Sequence, residues 1–419
     1  MADLASRDGE QARDHLVILQ SFRRHDFRLY WIGLFLAILG GQIQYVATAW
    51  LVVEKTSQDA APVYLGLVGL AASAPTIALS LFGGVVADRL DRRRLLLVTQ
   101  SGTALVVVAL AILVATEQVE LWHVFVLSFL IGTVQAFDQP ARAALLPQLV
   151  ERSELLNAVA LVTMIWQSTS IVGPSMAGLL IASSGLTACF VVTAVGALAM
   201  VGCLCALRAR PSSTPETSTN VGESLVEGLG YIRSNTLARG LIGLVFFNGI
   251  FGMSYVTLVP VFARYELDVG AEGFGFLAGA SGVGALLGTL FVASLGDYQH
   301  KGRLLLGTSA GFGCLLVGFA LSRWFPLSLG LLTVSGACNS VYMTIANTAL
   351  QAMVPDKLRG RVMGVFTLTY NLMPVGGVIA GGIARVASVS VAVALGGTAV
   401  VSLAAMLAAR SPQVRRLAT

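Results

Sequence analysis

Long uncharged runs alternate with short charged clusters along almost the whole chain. The uncharged runs cover 29–53, 60–87, 95–116, 121–137, 155–207, 240–263, 273–296, 304–322, 324–355, 362–384 and 386–409. A helix rises about 1.5 Å per residue and the hydrocarbon core is about 30 Å thick, so about 20 such residues cross it. The run 155–207 is long enough for two crossings, with a turn expected near Ser183-Ser184-Gly185. The short run 121–137 is expected to continue through Asp138 to about Leu146. Lipid offers no partner to an unpaired backbone amide, so each crossing should be helical. The pattern predicts an all-α polytopic membrane protein with twelve transmembrane helices.

Composition agrees. Apolar residues are 56% of the 419 and charged residues 12%, against about 25% charged in a soluble domain. Sorted by loop, with the N-terminus in the cytoplasm, 23 of the 27 Lys and Arg fall on the cytoplasmic side. Only Lys55, Arg264, Arg323 and Arg385 lie outside. This asymmetry is the positive-inside pattern, so the net charge of +5 signals topology and calls for no nucleic-acid partner. Trp50, Trp122 and Trp324 stand at span ends and read as interface anchors. The expected organisation is a cytoplasmic N-tail over 1–28, a first six-helix half over 29–207, a linker over 208–239, a second half over 240–409 and a cytoplasmic C-tail over 410–419. The linker opens with the turn-rich Pro211-Ser-Ser-Thr-Pro215, and Val221–Tyr231 reads as an amphipathic helix lying on the membrane surface.

The halves align on each other, as a duplicated fold requires. Asp88-Arg-Leu-Asp-Arg-Arg-Arg-Leu-Leu-Leu97 lies over Asp297-Tyr-Gln-His-Lys-Gly-Arg-Leu-Leu-Leu306 at an offset of 209. Ile171–Gly178 lies over Val375–Gly382 at 204, and Gly33 and Tyr45 lie over Gly243 and Tyr255 at 210. Three ordered matches at nearly constant offset make the halves pseudo-symmetric.

Several segments carry a resemblance. Gly84-Val-Val-Ala-Asp88-Arg89-Leu-Asp-Arg92-Arg93-Arg94, between the second and third spans, resembles the loop motif of the major facilitator superfamily, with Asp91 in place of its usual second glycine. Gly173-Pro174-Ser-Met-Ala-Gly178 resembles the antiporter motif of that superfamily's exporters, with Thr169 in place of the first glycine. Ile43-Gln-Tyr-Val-Ala-Thr-Ala-Trp50, Phe137-Asp-Gln-Pro-Ala-Arg142 and Asn157-Ala-Val-Ala-Leu161 are similar to the enterobactin-exporter-like and macrolide-efflux-like branch. The resemblance implies the major facilitator fold, with a central site near the bilayer midplane lined by spans 1, 4, 7 and 10.

The candidate residues follow from polarity and from this resemblance. Gly84, Asp88, Arg89, Arg92 and Arg93 form a candidate gating motif. Asp88 is suited to accept backbone N–H bonds at a helix start; the resemblance implies the start of span 11 near Arg361-Val362, in contact only when the cytoplasmic side is closed. Asp138 is the one acid of 22 placed within a span, with Arg142 at i+4 on the same helical face. The pair reads as a structural or gating bridge, or as a proton-coupling site whose members part during the cycle. Gln42, Gln44, Tyr45, Gln135, Asn248, Tyr255, Asn339 and Tyr342 are the candidate cavity residues, the offset of 204 carrying Gln135 and Asp138 onto Asn339 and Tyr342. Gly173, Pro174 and Gly178 form the candidate export motif, with a bend expected at Pro174. Gly275/Gly279, Gly284/Gly288 and Gly377/Gly381 are spaced for close helix contact.

No nucleotide-binding loop of the GxxxxGK[ST] kind and no Cys/His metal spacing occurs in the sequence, and the five cysteines all fall in apolar runs. The expectation is a non-enzymatic, monomeric, multi-pass protein of the bacterial cytoplasmic membrane, with no cofactor and an ion gradient, the proton gradient first, as its energy source. The leading function is export of a small amphipathic organic molecule such as a siderophore or drug. The alternatives are a flippase for a lysophospholipid-like substrate and a non-transporting receptor or scaffold. The topology has a direct test. In a cysteine-free background, an impermeant thiol reagent outside sealed cells should label Thr56→Cys and Ser322→Cys and leave Ser213→Cys unlabelled; labelling of the linker position would overturn it.

Overall fold

The computed structural model describes residues 20–208, 221–296, 298–415 and 417, and for 20, 80, 81, 85, 87–89, 221–226, 357, 370 and 371 the backbone alone. Among the described residues there is no strand. The first half comprises α1 (His25–Lys55), α2 (Ala61–Arg89), α3 (Arg92–Ala115), α4 (Leu121–Leu149), α5 (155–184) and α6 (186–206). The second comprises α7 (Thr236–Glu266), α8 (Gly270–Ser294), α9 (Lys301–Leu321), α10 (Phe325–Met353), α11 (Asp356–Asn371, continued by Met373–Val386) and α12 (Val389–Arg410). Among the described residues, eleven helical segments are long and apolar enough to cross a membrane. The eleventh-to-twelfth step is the division of Leu155–Ala206: its 52 residues would run about 78 Å if straight. Gly185 breaks it at φ 78°, ψ 175°, a left-handed conformation that costs glycine little. This is the turn expected from Ser183-Ser184-Gly185.

Local chemistry fixes where helices begin. Asp91 caps α3, its Oδ1 accepting from the Arg93 and Arg94 amides at 2.9 and 3.1 Å. That explains an Asp where the loop motif usually carries glycine. Asn235 caps α7 through the Leu237 and Ala238 amides, and Ser388 caps α12 through the Val391 amide. Ahead of α1, Arg24 pairs with Glu151 and Glu154 of the α4–α5 loop, and its hydrogen bond holds the Glu154 carboxyl below the usual carboxylate range.

The linker helix spans Val221–Ser234 and does not simply rest on a membrane surface. Glu227 pairs with Arg361 of α11, Tyr231 Oη donates to the Met353 carbonyl at 3.3 Å, and Ile232 is buried. The second half offers this helix apolar surface and complementary charge, which lipid headgroups would have to match. Trp122 and Trp324 are 56% and 65% exposed, as interface anchors should be. Trp50 is only 3% exposed, because it packs between the two halves. Ser322 is buried too, accepting from Ser328 at 2.9 Å, which leaves Thr56 as the accessible labelling position.

The apolar core shows how the halves meet. One cluster takes Trp50, Leu51, Leu65, Ala177, Phe190, Phe262, Phe274 and Ala380, drawn from both halves at the end remote from the linker. At the linker end the core divides. Phe27, Leu96, Leu145, Ala158 and Leu204 form a cluster within the first half, whereas Leu241, Leu305, Ile345, Val362 and Phe366 form one within the second. The halves are therefore closed on each other at the remote end and packed separately at the linker end.

Small residues set these contacts, as their spacing indicated. Gly275 of α8 faces the Pro174 carbonyl of α5, Gly381 of α11 faces that of Pro62 on α2, and Gly284 of α8 faces that of Thr333 on α10. At Gly284 a Cβ would overlap the Thr333 oxygen. Gly284→Leu should therefore destabilise the second half by about 1–3 kcal/mol or more, as overpacking does. The measurement is thermal unfolding in detergent; a variant as stable as the parent would refute the close α8–α10 approach.

Candidate functional site

Four adjoining chambers hold about 230, 230, 410 and 340 Å³; first-half residues line the first, and residues of both halves line the other three. Tyr45 lines all four, and its side chain is half exposed. Gln135 lines three of them, and Gln42 and Gln44 line two each. From the second half, Tyr255 and Asn339 border the largest. Helices α1, α4, α7 and α10 thus contribute as expected, and α2, α5, α8 and α11 contribute as well through Gly69, Ser170, Ser281 and Met373.

Two candidate cavity residues do not line any of these chambers. Asn248 is 1% exposed and sits on a π-helical turn of α7, Asn248–Gly252, with its amide oxygen against Gly252. Tyr342 is 2% exposed and turns toward Phe312 of α9, ring centroids 6.4 Å apart. Sequence polarity identified both as interior residues, but interior between packed helices differs from interior to the cavity.

Asp138 and Arg142 meet as their spacing required, in an ion pair one helical turn apart on α4. Both line the first chamber. The same Asp138 carboxylate accepts at Oδ1 from Thr99 Oγ1 and Gln100 Nε2 of α3, each at 2.7 Å. The carboxylate thus takes two hydrogen bonds from α3 at Oδ1 and the charge of Arg142 at Oδ2. The α3 partners were not foreseen. Thr99 and Gln100 follow the uncharged sequence Leu95-Leu-Leu-Val98, and nothing in the charge map separates them from other span polar residues. Gln139 and Trp166 complete the wall around the pair.

The export motif lies where two contacts cross. Gly173 faces Gln42 of α1, a Cβ there standing 2.5 Å from that of Gln42. Pro174 and Gly178 face α8, through Gly275 and the Ala271 carbonyl. The backbone remains helical through Pro174, and Gly185 alone in this segment leaves helical angles, so the expected bend is not a break in the helix.

The loop motif divides. The side chains of Asp88 and Arg89 lie outside the described residues, as does Asp297 of the second copy. Gly84 faces open space, and the close contact belongs to its neighbour Gly83, against the Ala136 carbonyl of α4. Arg92 opens α3. Arg93 binds its own half: Nε and Nη2 donate to the Leu204 and Cys205 carbonyls at 2.7 and 2.8 Å, capping the C-terminus of α6. Arg361 is engaged by Glu227 of the linker helix. Arg93 is thus a structural cap in this conformation.

Comparison with known proteins places this architecture. Residues 18–418 match the family described as transmembrane secretion effector. The multidrug efflux pump Tap of Mycolicibacterium fortuitum is 29% identical, with 83% of this chain and 86% of Tap covered. The staphyloferrin A transporter of Staphylococcus aureus is 25% identical over 82% of this chain and 86% of its own length. The enterobactin exporter EntS of Shigella boydii is 25% identical over 80% and 77%. Among solved structures, the nucleoside transporter NupG superposes with a TM-score of 0.68 at 14% identity, covering 92% of this chain and 98% of NupG. A bacterial homologue of the lysosomal transporter Spinster, in an inward-facing unoccupied conformation, also gives 0.68 at 14%, covering 92% and 94%. Its fold, its duplicated halves and a family match over nearly its whole length agree, and the chain belongs to the transmembrane secretion effector family of the major facilitator superfamily.

Proposed function

We propose that this protein exports a small amphipathic organic molecule, of the siderophore or drug class, by proton-coupled alternating access. The linker end is the cytoplasmic end on this reading, because 23 of 27 basic residues gather there, and the conformation described is then open to the cytoplasm. The observation that carries the proposal is a cavity closed at the remote end with a buried ion pair in its wall. Amides of Gln42, Gln44 and Gln135 alternate in that wall with the rings of Tyr45 and Trp166. Such a lining suits a molecule with both apolar and hydrogen-bonding faces. Similarity to the efflux pump Tap and the enterobactin exporter EntS supports export, and similarity to the staphyloferrin A transporter supports a siderophore-class substrate.

Coupling is assigned to Asp138, with Arg142 as its gate. Both stand on α4, so rigid rocking of one half against the other leaves them together. Their separation therefore requires the Arg142 side chain to swing to another acceptor, which a cavity-lining position permits. A proton could then reach the carboxyl. The test is uphill movement of a fluorescent amphipathic dye in proteoliposomes under an imposed pH gradient. Asp138→Asn should lower uphill transport at least tenfold while dye binding and downhill exchange persist. Should the double variant Asp138→Asn/Arg142→Gln still pump against the gradient, Asp138 is not the coupling residue. Loss of folding in the single variant with rescue in the double would make the pair structural.

A further inference from the structure

Trp50 stands where the two halves close, and its surroundings come from both. Its indole stacks on Phe274 of α8 with centroids 6.1 Å apart and planes 19° from parallel. Arg264 of α7 lies over the indole, its Cζ 5.6 Å from the centroid. Within the first half, the indole Nε1 donates to Glu54 Oε1 at 2.7 Å. Glu54 and Arg264 are related by the offset of 210 that relates Tyr45 to Tyr255. The duplication has thus placed opposite charges at equivalent ends of α1 and α7, and both engage the same indole. Glu54 fixes the indole edge from its own helix, and Arg264 contacts the face from across the interface. Trp50 is 3% exposed and Phe274 2%, so the ring stack is dry, while Arg264 remains partly exposed over it.

We propose that Trp50 is the remote-end gate residue: Arg264 and Phe274 hold it when that end is closed, and the cavity cannot open there until all three part. Helix α1 carries the indole and α7 and α8 carry its partners, so any motion that separates the halves at this end breaks the cation–π and ring contacts together. The Glu54 hydrogen bond lies within α1 and survives. It keeps the indole in one orientation for reclosure. Around it the apolar core also crosses the interface, and Gly178 against Ala271 and Gly275 against Pro174 bring backbone to backbone. Those contacts set how close the helices come; the indole gives the closed end a specific side-chain latch.

The inference rests on the alternating-access reading, so its test measures conformation apart from transport. Spin labels at Thr56→Cys and Asp268→Cys, with the five native cysteines replaced, report the separation of α1 and α7 at the remote end. Trp50→Ala and Arg264→Gln should each raise the ratio of open to closed distances several-fold, from the worth of a ring pair or of a partly exposed cation–π contact. Trp50→Phe keeps a ring for Arg264 and Phe274 but loses the Glu54 bond, and should shift the ratio less than Trp50→Ala. If Trp50→Ala does not fold, Arg264→Gln, which removes charge from a partly exposed position, gives the same readout. Unchanged distances in Arg264→Gln, or a Trp50→Phe shift equal to that of Trp50→Ala, would overturn the gate. A distance shift without any pH-driven dye transport in the parent would uphold the gate and sink the proton-driven reading instead.

Discussion

Everything in this fold that concerns a substrate depends on the two halves touching at one end only. At the remote end α5 lies on α8 and α2 lies on α11 through glycine contacts, and the apolar core runs unbroken across the interface. At the linker end each half keeps a core of its own. The cavity is the consequence. Its polar wall tolerates ionised groups that lipid would not, which is why Asp138 and Arg142 can stand in the first chamber while the charges of the loops stay at the ends.

The same constraint sorts the charged residues by purpose. Arg93 closes the C-terminus of α6, Arg24 joins the start of α1 to Glu151 and Glu154, and Glu227 ties the linker helix to Arg361. Each lies within one half or binds the linker helix to one half. Such contacts tie each half, with what is docked to it, into one packed unit. Arg264 is different because, besides the Tyr265 ring of its own half, it lies over the Trp50 ring of the opposite half. Asp138 is different because it and two of its partners, Gln100 and Arg142, line the first chamber.

The spans were legible because a bilayer imposes a length and excludes charge, and both requirements act on sequence directly. Even the turn at Gly185 was visible as a run too long for one crossing. The Asp138–Arg142 pair was legible because i and i+4 share a helical face in any context. Other assignments failed where tertiary packing decides. Polar residues within a span point inward, but Asn248 and Tyr342 point into helix contacts while Tyr45 and Gln135 point into the cavity, and spans apolar on every side carry no stripe to distinguish these. Thr99 and Gln100 were missed for the same reason, being recognisable only once α3 and α4 are side by side. Trp50 was misjudged because a tryptophan at a span end has the same sequence signature whether it meets headgroups or another half.

The duplication gives the asymmetry its meaning. Equivalent positions began as copies, so equal residues at them, such as Tyr45 and Tyr255, record the shared scaffold. The informative positions are those that have become complementary. Glu54 and Arg264 carry opposite charges around one indole, which two identical copies could not do, since like charges would repel across the interface. Asp138 faces Arg142 in the first half, while its counterpart Tyr342 is packed against Phe312. Among the described residues, the first half alone therefore keeps a charge pair at this level of the cavity. The two similar units thus frame an asymmetric cavity: the first half carries the ion pair of the first chamber, while the second supplies Tyr255 and Asn339 to the largest chamber and, at the closed end, the Phe274 and Arg264 partners of Trp50.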